Sequence, residues 1–248
     1  MTDEIRVQNI PSLLQAIDAV YSAFKNQPWW RGHGESDWRL VPHVLRITDR
    51  GTSYEANIAM KFARLAPTRH PDVPGADDVA SWLVLMQHYR LPTRFLDWTE
   101  SPLVALYFAV ANQARDGENG AIWALDPFLM NELRGEKGVL RPKHAQVMRL
   151  IDLAFTKAAP EDEAVFALAS DEIDIRMLVQ LSGMTIHGSR EPLEARQGHE
   201  RFLRKFVVDK GVKAELRTEL KKLGIRERHL FPDLEHLSAD LKRDMYPD

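Results

Sequence analysis

Apolar residues recur at helical spacing over Ser12 to Phe24, where Leu13, Leu14, Ile17, Val20, Tyr21 and Phe24 share a face and Pro11 stands at the start. The same spacing predicts helices over Ser53 to Leu65, over Asp78 to Tyr89 with Asp78 as N-cap, and over Lys143 to Phe155. Ser101-Pro102 is a cap residue followed by proline at the first helical position, so a helix begins there and runs through Leu103, Leu106, Tyr107 and Val110 to a stop near Gly117. Strands are expected at Trp29 and Trp30, at Ala121 to Leu125, at Met184 to His187 and at Phe202 to Val208. After Trp30, the glycines of Arg31-Gly32-His33-Gly34 predict an abrupt exit from the strand. Pro67 to Asp78 reads as loop, and so does the stretch around Asp97-Trp98-Thr99. Asp209 caps a charged helix from Val212 to Leu223 that ends at Gly224, and Leu234 to Met245 is a last helix.

This mixed order predicts an α+β fold in which short strands pack with several helices. The one candidate boundary is the polar loop Ala158 to Glu163, but the apolar strands after it are too few for an independent core. The expectation is one domain over residues 1–248, with a charged helical C-terminal part from about Asp209.

The 248 residues are 44% hydrophobic and 28% charged, which suits a folded chain and excludes a disordered or fibrous one. Without cysteine there is no disulfide framework, thiolate nucleophile or thiolate metal site, and this points to the cytoplasm. The start, MTDEIRVQNI, lacks the basic region and apolar run of a signal peptide, and no later run is long enough to span a bilayer. A net charge of −3 gives no global attraction to phosphate backbones, so nucleic-acid binding would need a local patch. The basic stretches Arg201 to Lys213 and Lys221 to Arg228 are interrupted by acidic residues, Asp209 and Glu227, and read as solvated faces.

Candidate chemistry gathers in two segments. Trp29 to Trp38 combines Arg31, Gly32, His33, Gly34, Glu35 and Asp37. An arginine fork suits bidentate binding of phosphate or carboxylate, and glycines let a ligand approach the backbone. A structural reading stays open beside it, in which Arg31 pairs with Glu35, Asp37 or Asp97. Gln87 to Ser101 is dense in donors, and the start of the Ser101 helix offers unpaired N–H groups to an anion, with Arg94 adding fixed charge. Here too a scaffold reading stands, with Thr99 or Ser101 as caps and Asp97 buttressing Arg94. No glycine-rich phosphate loop, dinucleotide fingerprint, His-Glu-x-x-His helix or nucleophile elbow occurs.

At these residues the chain resembles the FRG-domain family, whose aromatic-Arg-Gly motif reads here Trp30-Arg31-Gly32. The resemblance continues through Trp38-Arg39-Leu40-Val41-Pro42, Arg46, Glu55, Phe62, Gln87-His88-Tyr89, Leu91-Pro92-Thr93-Arg94, Leu96-Asp97-Trp98-Thr99 and Ser101-Pro102-Leu103. Later matches include Arg176, Gln180, Thr185, His187 and Phe231-Pro232-Asp233-Leu234. Family members are bacterial and phage proteins. The order Arg31, Thr99 with Ser101, Gln180 is also similar to the Arg-Ser-Glu pattern of ADP-ribosyltransferases, with Gln180 where that pattern has Glu. This second resemblance implies an ADP-ribosyltransferase-like fold, NAD as substrate, and a transferase or NAD glycohydrolase acting as a toxin or antiphage effector on a protein or nucleic-acid acceptor. It assigns Arg31, Thr99, Ser101, Gln180 and Glu100 to catalysis, with Glu35 as another source of the carboxylate. Gly32, His33, Gln87, His88, Tyr89, Thr93, Arg94, Asp97 and Trp98 would bind the ligand, Trp98 or Tyr89 by stacking on a ring. Two alternatives are a non-catalytic nucleotide- or nucleic-acid-binding regulator and a metal-dependent nuclease built on Glu35, Asp37, Asp97 and His88.

Overall fold

Helix starts are fixed by local side chains that satisfy backbone N–H groups left unpaired at a helix end. Asp78 Oδ1 accepts from Ser81 N at 3.2 Å and Ser101 Oγ from Val104 N at 3.4 Å, as the sequence predicts. The first helix begins two residues earlier than its apolar pattern, because Asn9 and Ser12 form a reciprocal capping box. The computed structural model describes residues 6–51, 53–157, 161–169, 182–231 and 233–245. In chain order its main elements are β1 (Arg6–Val7), α1 (Ile10–Ala23), β2 (Trp29–His33), α2 (His43–Arg46), α3 (Tyr54–Leu65), α4 (Val79–His88), β3 (Phe95–Thr99), α5 (Pro102–Val110), β4 (Gly120–Leu125), α6 (Pro127–Glu132) and α7 (Ala145–Phe155). They continue with β5 (Val165–Ala169), β6 (Ser182–His187), β7 (Leu203–Val208), α8 (Lys213–Lys222), α9 (Glu227–Leu230) and α10 (Leu234–Met245).

The strands form one mixed sheet in the order β1-β7-β4-β2-β3-β6-β5, so the fold is α+β. Among the described strand pairs, β1–β7 alone is parallel. β2 pairs with β4 over its whole length, and β3 pairs with β6 over its whole length, but β2 and β3 share the single pair Trp30 and Thr99. The sheet is therefore two halves joined at a seam.

Two sequence expectations change here. β2 runs on through Arg31, Gly32 and His33 instead of ending at Trp30, because β4 supplies a partner for every residue. The segment expected to loop around Asp97 is the interior strand β3: Leu96 and Trp98 are buried on one side, and the exposed Asp97 between them hides the alternation. The α5 helix stops at Val110, well before Gly117. Of the expected boundary at Ala158 to Glu163, residues 158–160 lie outside the described residues.

Successive residues alternate between the faces of a strand. On one face Trp30, Ile122, Ala124, Phe206 and Val208 pack under α1, α5 and α8, while Phe95, Phe166, Leu168, Met184 and Ile186 pack under α3, α4 and α7. On the other face Trp29, Leu96, Trp98, Trp123, Leu125, Val165 and Ala167 form a third cluster with Leu40, Met130, Leu193 and Phe202, which come from connections and a short helix. No helix among the described residues is long and apolar enough to cross a membrane.

The tightest constraint is the seat of α5 on β2. A Cβ added at Gly32 would stand 1.9 Å from the main-chain oxygen of Ala105 and 2.7 Å from Ala109 N, both backbone atoms that cannot swing away. Gly32→Ala should therefore lower stability by at least about 2 kcal/mol in urea unfolding, through forced displacement of the helix. A loss below about 0.5 kcal/mol, within the range of a neutral surface change, would contradict this packing.

Candidate functional site

The seam exposes strand edges, and Arg31 fills it. From β2 its Nη1 donates to the main-chain oxygen of Asp97 on β3 at 2.5 Å, and its Nε donates to His33 Nε2 at 3.1 Å. Both acceptors are neutral, so none of the carboxylates Glu35, Asp37 or Asp97 forms a salt bridge with Arg31. Glu35 pairs with Arg115 at 2.7 Å, Asp37 is bonded by the Ser36 hydroxyl, and the Asp97 carboxylate accepts from Gln87 Nε2 at 2.6 Å. The guanidinium is half-buried. Burial lowers its pKa, the charge of Asp97 opposes that shift, and the nearby charge of Arg46 adds to it.

His33 follows from the same geometry. Its Nε2 accepts from Arg31, so the ring proton of the neutral form sits on Nδ1, which faces the Trp38 carbonyl at 3.1 Å. Burial, followed by the charge of Arg31, drives its pKa down to about 3, with Arg46 and Lys205 lowering it further and the Trp38 carbonyl opposing.

On the same face, Trp98 is 2% exposed and its indole N–H donates to Thr185 Oγ1 at 3.1 Å, while Thr185 Oγ1 lies 2.9 Å from His187 Nε2. Trp98 is thus a core residue with no open ring face, and the expectation that it stacks on a ligand is corrected. Tyr89, 52% exposed and edge-on to the half-buried His88 at 5.0 Å, keeps an open ring beyond the C-terminus of α4. His187 is fully buried, and burial with the charges of Arg196, Arg31, Arg134 and Arg94 lowers its pKa well below the ordinary histidine value. The chain Trp98, Thr185 and His187 escapes single-residue inspection because it requires the register of β3 against β6.

Arg94 departs most from expectation. It is 4% exposed, and its Nε and Nη2 form a two-point ion pair with Glu55 on α3, the Nε contact being 2.9 Å, while Nη1 faces the His187 carbonyl at 3.4 Å. The whole fork is engaged, with Glu55 and not with Asp97. Arg94 also precedes β3 while Ser101 follows it, so about 20 Å of extended chain separates Arg94 from the start of α5. The anion subsite expected from Arg94 and that helix end is not formed. A cavity of about 120 Å³ beside the ion pair is lined by Glu55, Arg94, Gly188 and Arg190 among others.

The structure brings Arg31 against β3 with His33 beside it, while Gly32 faces α5, and it links Gln87, Thr93 and Asp97 on the α4 side, where the Thr93 hydroxyl donates to Gln87 Oε1. Thr99 shares the face of its partner Trp30, opposite to Arg31; its Oγ1 accepts from Ser101 N at 3.1 Å, and Ser101 caps α5. Their hydroxyls serve the turn. Glu100 is exposed at the exit of β3. Gln180 lies outside the described residues. Glu35, Asp37, Asp97 and His88 do not converge, and no group of three His, Asp or Glu among the described residues is arranged to hold a metal ion, which withdraws the geometric basis of the nuclease alternative.

Residues 26–118 match the FRG domain family; this segment runs from just before β2 to just after α5 and contains Arg31, Arg94, Asp97 and Ser101. No curated protein and no solved structure matches the chain.

Two predictions follow from these environments. An unfolded histidine takes up a proton near pH 6.5, whereas folded His33 resists until about 3, so its contribution to stability is complete above pH 6.5 and is lost as pH falls through that window. The slope is at most about 1.4 kcal/mol per pH unit, His187 acts in the same direction, and His33→Gln should flatten the acid limb of a urea-midpoint profile. An unchanged limb would refute the neutral buried His33. Arg94→Lys, leaving Glu55 poorly paired, should cost about 3 kcal/mol, while Arg31→Lys should cost clearly less because its partners are neutral; equal losses would erase the distinction between the two arginines.

Proposed function

This chain carries an FRG domain over residues 26–118, and from that premise we propose that the domain binds NAD at the seam between its half-sheets and acts on it as a transferase or glycohydrolase. The observation that carries the reading is Arg31: a half-buried, desolvated guanidinium whose two hydrogen-bond acceptors are neutral, standing where two sets of strands part. A cation in that setting, lacking a carboxylate partner, is suited to a ligand anion.

In this reading Arg31 holds a phosphate or ribose oxygen and fixes the nicotinamide riboside relative to the protein. The bond between ribose C1′ and nicotinamide nitrogen breaks, its electron pair leaves with nicotinamide, and positive charge develops on the ribose as an oxocarbenium-like centre. Water or an acceptor group attacks C1′ and gives up a proton. Glu100 is the carboxylate for that proton, since Glu35 is taken by Arg115 and Asp97 by Gln87. A second reading, binding without cleavage, is favoured by the local duties of the Thr99 and Ser101 hydroxyls, which cap the turn into α5.

The test is calorimetric titration of NAD together with chromatographic detection of nicotinamide, using wild type, Arg31→Lys and Glu100→Gln. Arg31→Lys should weaken binding by about 1 to 3 kcal/mol while the fold persists. Glu100→Gln should retain binding and lose nicotinamide release. Binding with no release by wild type, with or without cell lysate as acceptor source, would establish the regulator reading; no binding of NAD by wild type would end both.

A further inference from the structure

Strand register sets three side chains in one row. Arg31 on β2 stands opposite Trp123 on β4, and Trp123 stands opposite Lys205 on β7, so the three share a face on neighbouring strands about 5 Å apart. The ammonium of the half-buried Lys205 lies 5.3 Å from the centre of the Trp123 ring. Trp123 is 5% exposed, and its indole N–H is buried with no acceptor among the described residues.

The connection after β2 brings a further cation near Arg31. His33 Nδ1 meets Trp38 O, Leu40 N donates to Glu194 Oε2 at 3.1 Å, and Val44 N donates to Thr93 O at 3.4 Å, which ties α2 to the segment leading into β3. Arg46 ends α2, near enough to lower the pKa of both Arg31 and His33, and it forms no hydrogen bond or ion pair among the described residues. Lys205 likewise has no carboxylate partner among them. Four other arginines do have carboxylate partners: Arg94 with Glu55, Arg115 with Glu35, Arg149 with Asp162 and Arg217 with Asp116.

We infer that Arg31 and Lys205, on either side of Trp123 on neighbouring strands, form with Arg46 at the end of α2 a binding strip for a diphosphate group. The inference rests on the nucleotide reading above and deepens it by assigning the linkage between the two halves of a dinucleotide to this row. Three cations without acidic partners exceed what a single carboxylate neutralises, and they match the two to three negative charges of a diphosphate. A nucleic-acid strand is the poorer fit, because the strip ends after three cations and the chain as a whole carries −3.

The test is titration of ADP and of inorganic pyrophosphate into wild type, Lys205→Gln, Arg46→Gln and, as a control remote from the row, Arg190→Gln, with melting curves to verify folding. Wild type should bind both probes, each row variant should bind ADP at least about fivefold more weakly through loss of a charge-assisted contact, and the control should not change. Failure of wild type to bind either probe, unchanged affinity in both row variants, or binding of a single-stranded oligonucleotide alone would overturn the strip. Nicotinamide release separates this inference from the activity. ADP binding that depends on Lys205 and Arg46 without any release from NAD upholds the strip and removes the enzymatic reading. Release of nicotinamide at unchanged KM in both variants does the reverse.

Discussion

Two half-sheets meet at the pair Trp30 and Thr99, and the hydrogen bond from the Arg31 guanidinium to the Asp97 carbonyl completes the joint. Each half brings its own helices, α1, α5 and α8 on one side of the seam and α3, α4 and α7 on the other. What prevents the halves from behaving as separate bodies is the opposite face. There Trp29 of β2 reaches across to β6, so that a Cβ on Gly183 would lie 2.7 Å from its indole, and Trp98 and Leu96 extend the same cluster. A buried tryptophan makes a large apolar contribution, and here it is placed where the strand ladder is weakest. Hydrogen bonding across the seam falls to a side chain because the two backbones diverge.

That divergence explains why the site is electrostatically unusual. A strand edge needs donors for its carbonyls, and an arginine supplies them at the cost of bringing a charge partly out of water. Neutral acceptors, the Asp97 carbonyl and the His33 ring, limit that cost without cancelling the charge. His33 accepts only as the neutral ring, so the arginine and the low proton affinity of the histidine form one unit. Arg94, sixty-three residues later in the chain, solves the opposite problem: its charge is fully matched by Glu55 and holds α3 to the start of β3.

Much of this was legible in the chain, and the rest was not for identifiable reasons. Caps declared themselves because their chemistry is local: Asp78 and Ser101 precede helices and bond within three residues. The two segments around Arg31 and Asp97 were recognisable as chemistry-bearing, and they do touch. The strand nature of β3 was hidden by Asp97, a polar residue at a position whose side chain is exposed. The partner of Arg94 was hidden by distance, since Glu55 lies thirty-nine residues away and nothing local distinguishes it from Asp97 three residues away. Trp123 and Lys205 carry no motif, and the resemblance at Thr185 and His187 names no contact; all four acquire meaning only once β6 and β7 are in register.

The contrast between Arg31 and Arg94 bears on which part of the sheet is free to acquire a function. An ion pair closed on both sides, like that of Arg94, offers a ligand no binding energy without first being broken. A cation held by neutral groups loses little when an anion approaches, because its existing hydrogen bonds can persist while the charge is matched. The same holds for Lys205, whose ring partner solvates the ammonium without neutralising it. On this face the sheet therefore keeps its charge in reserve at the seam and along the Arg31, Trp123 and Lys205 row, while the neighbouring half is sealed by Glu55. Binding of an anion would stabilise the fold where the strand ladder is thinnest, so ligand affinity and the cohesion of the two halves are expected to rise together.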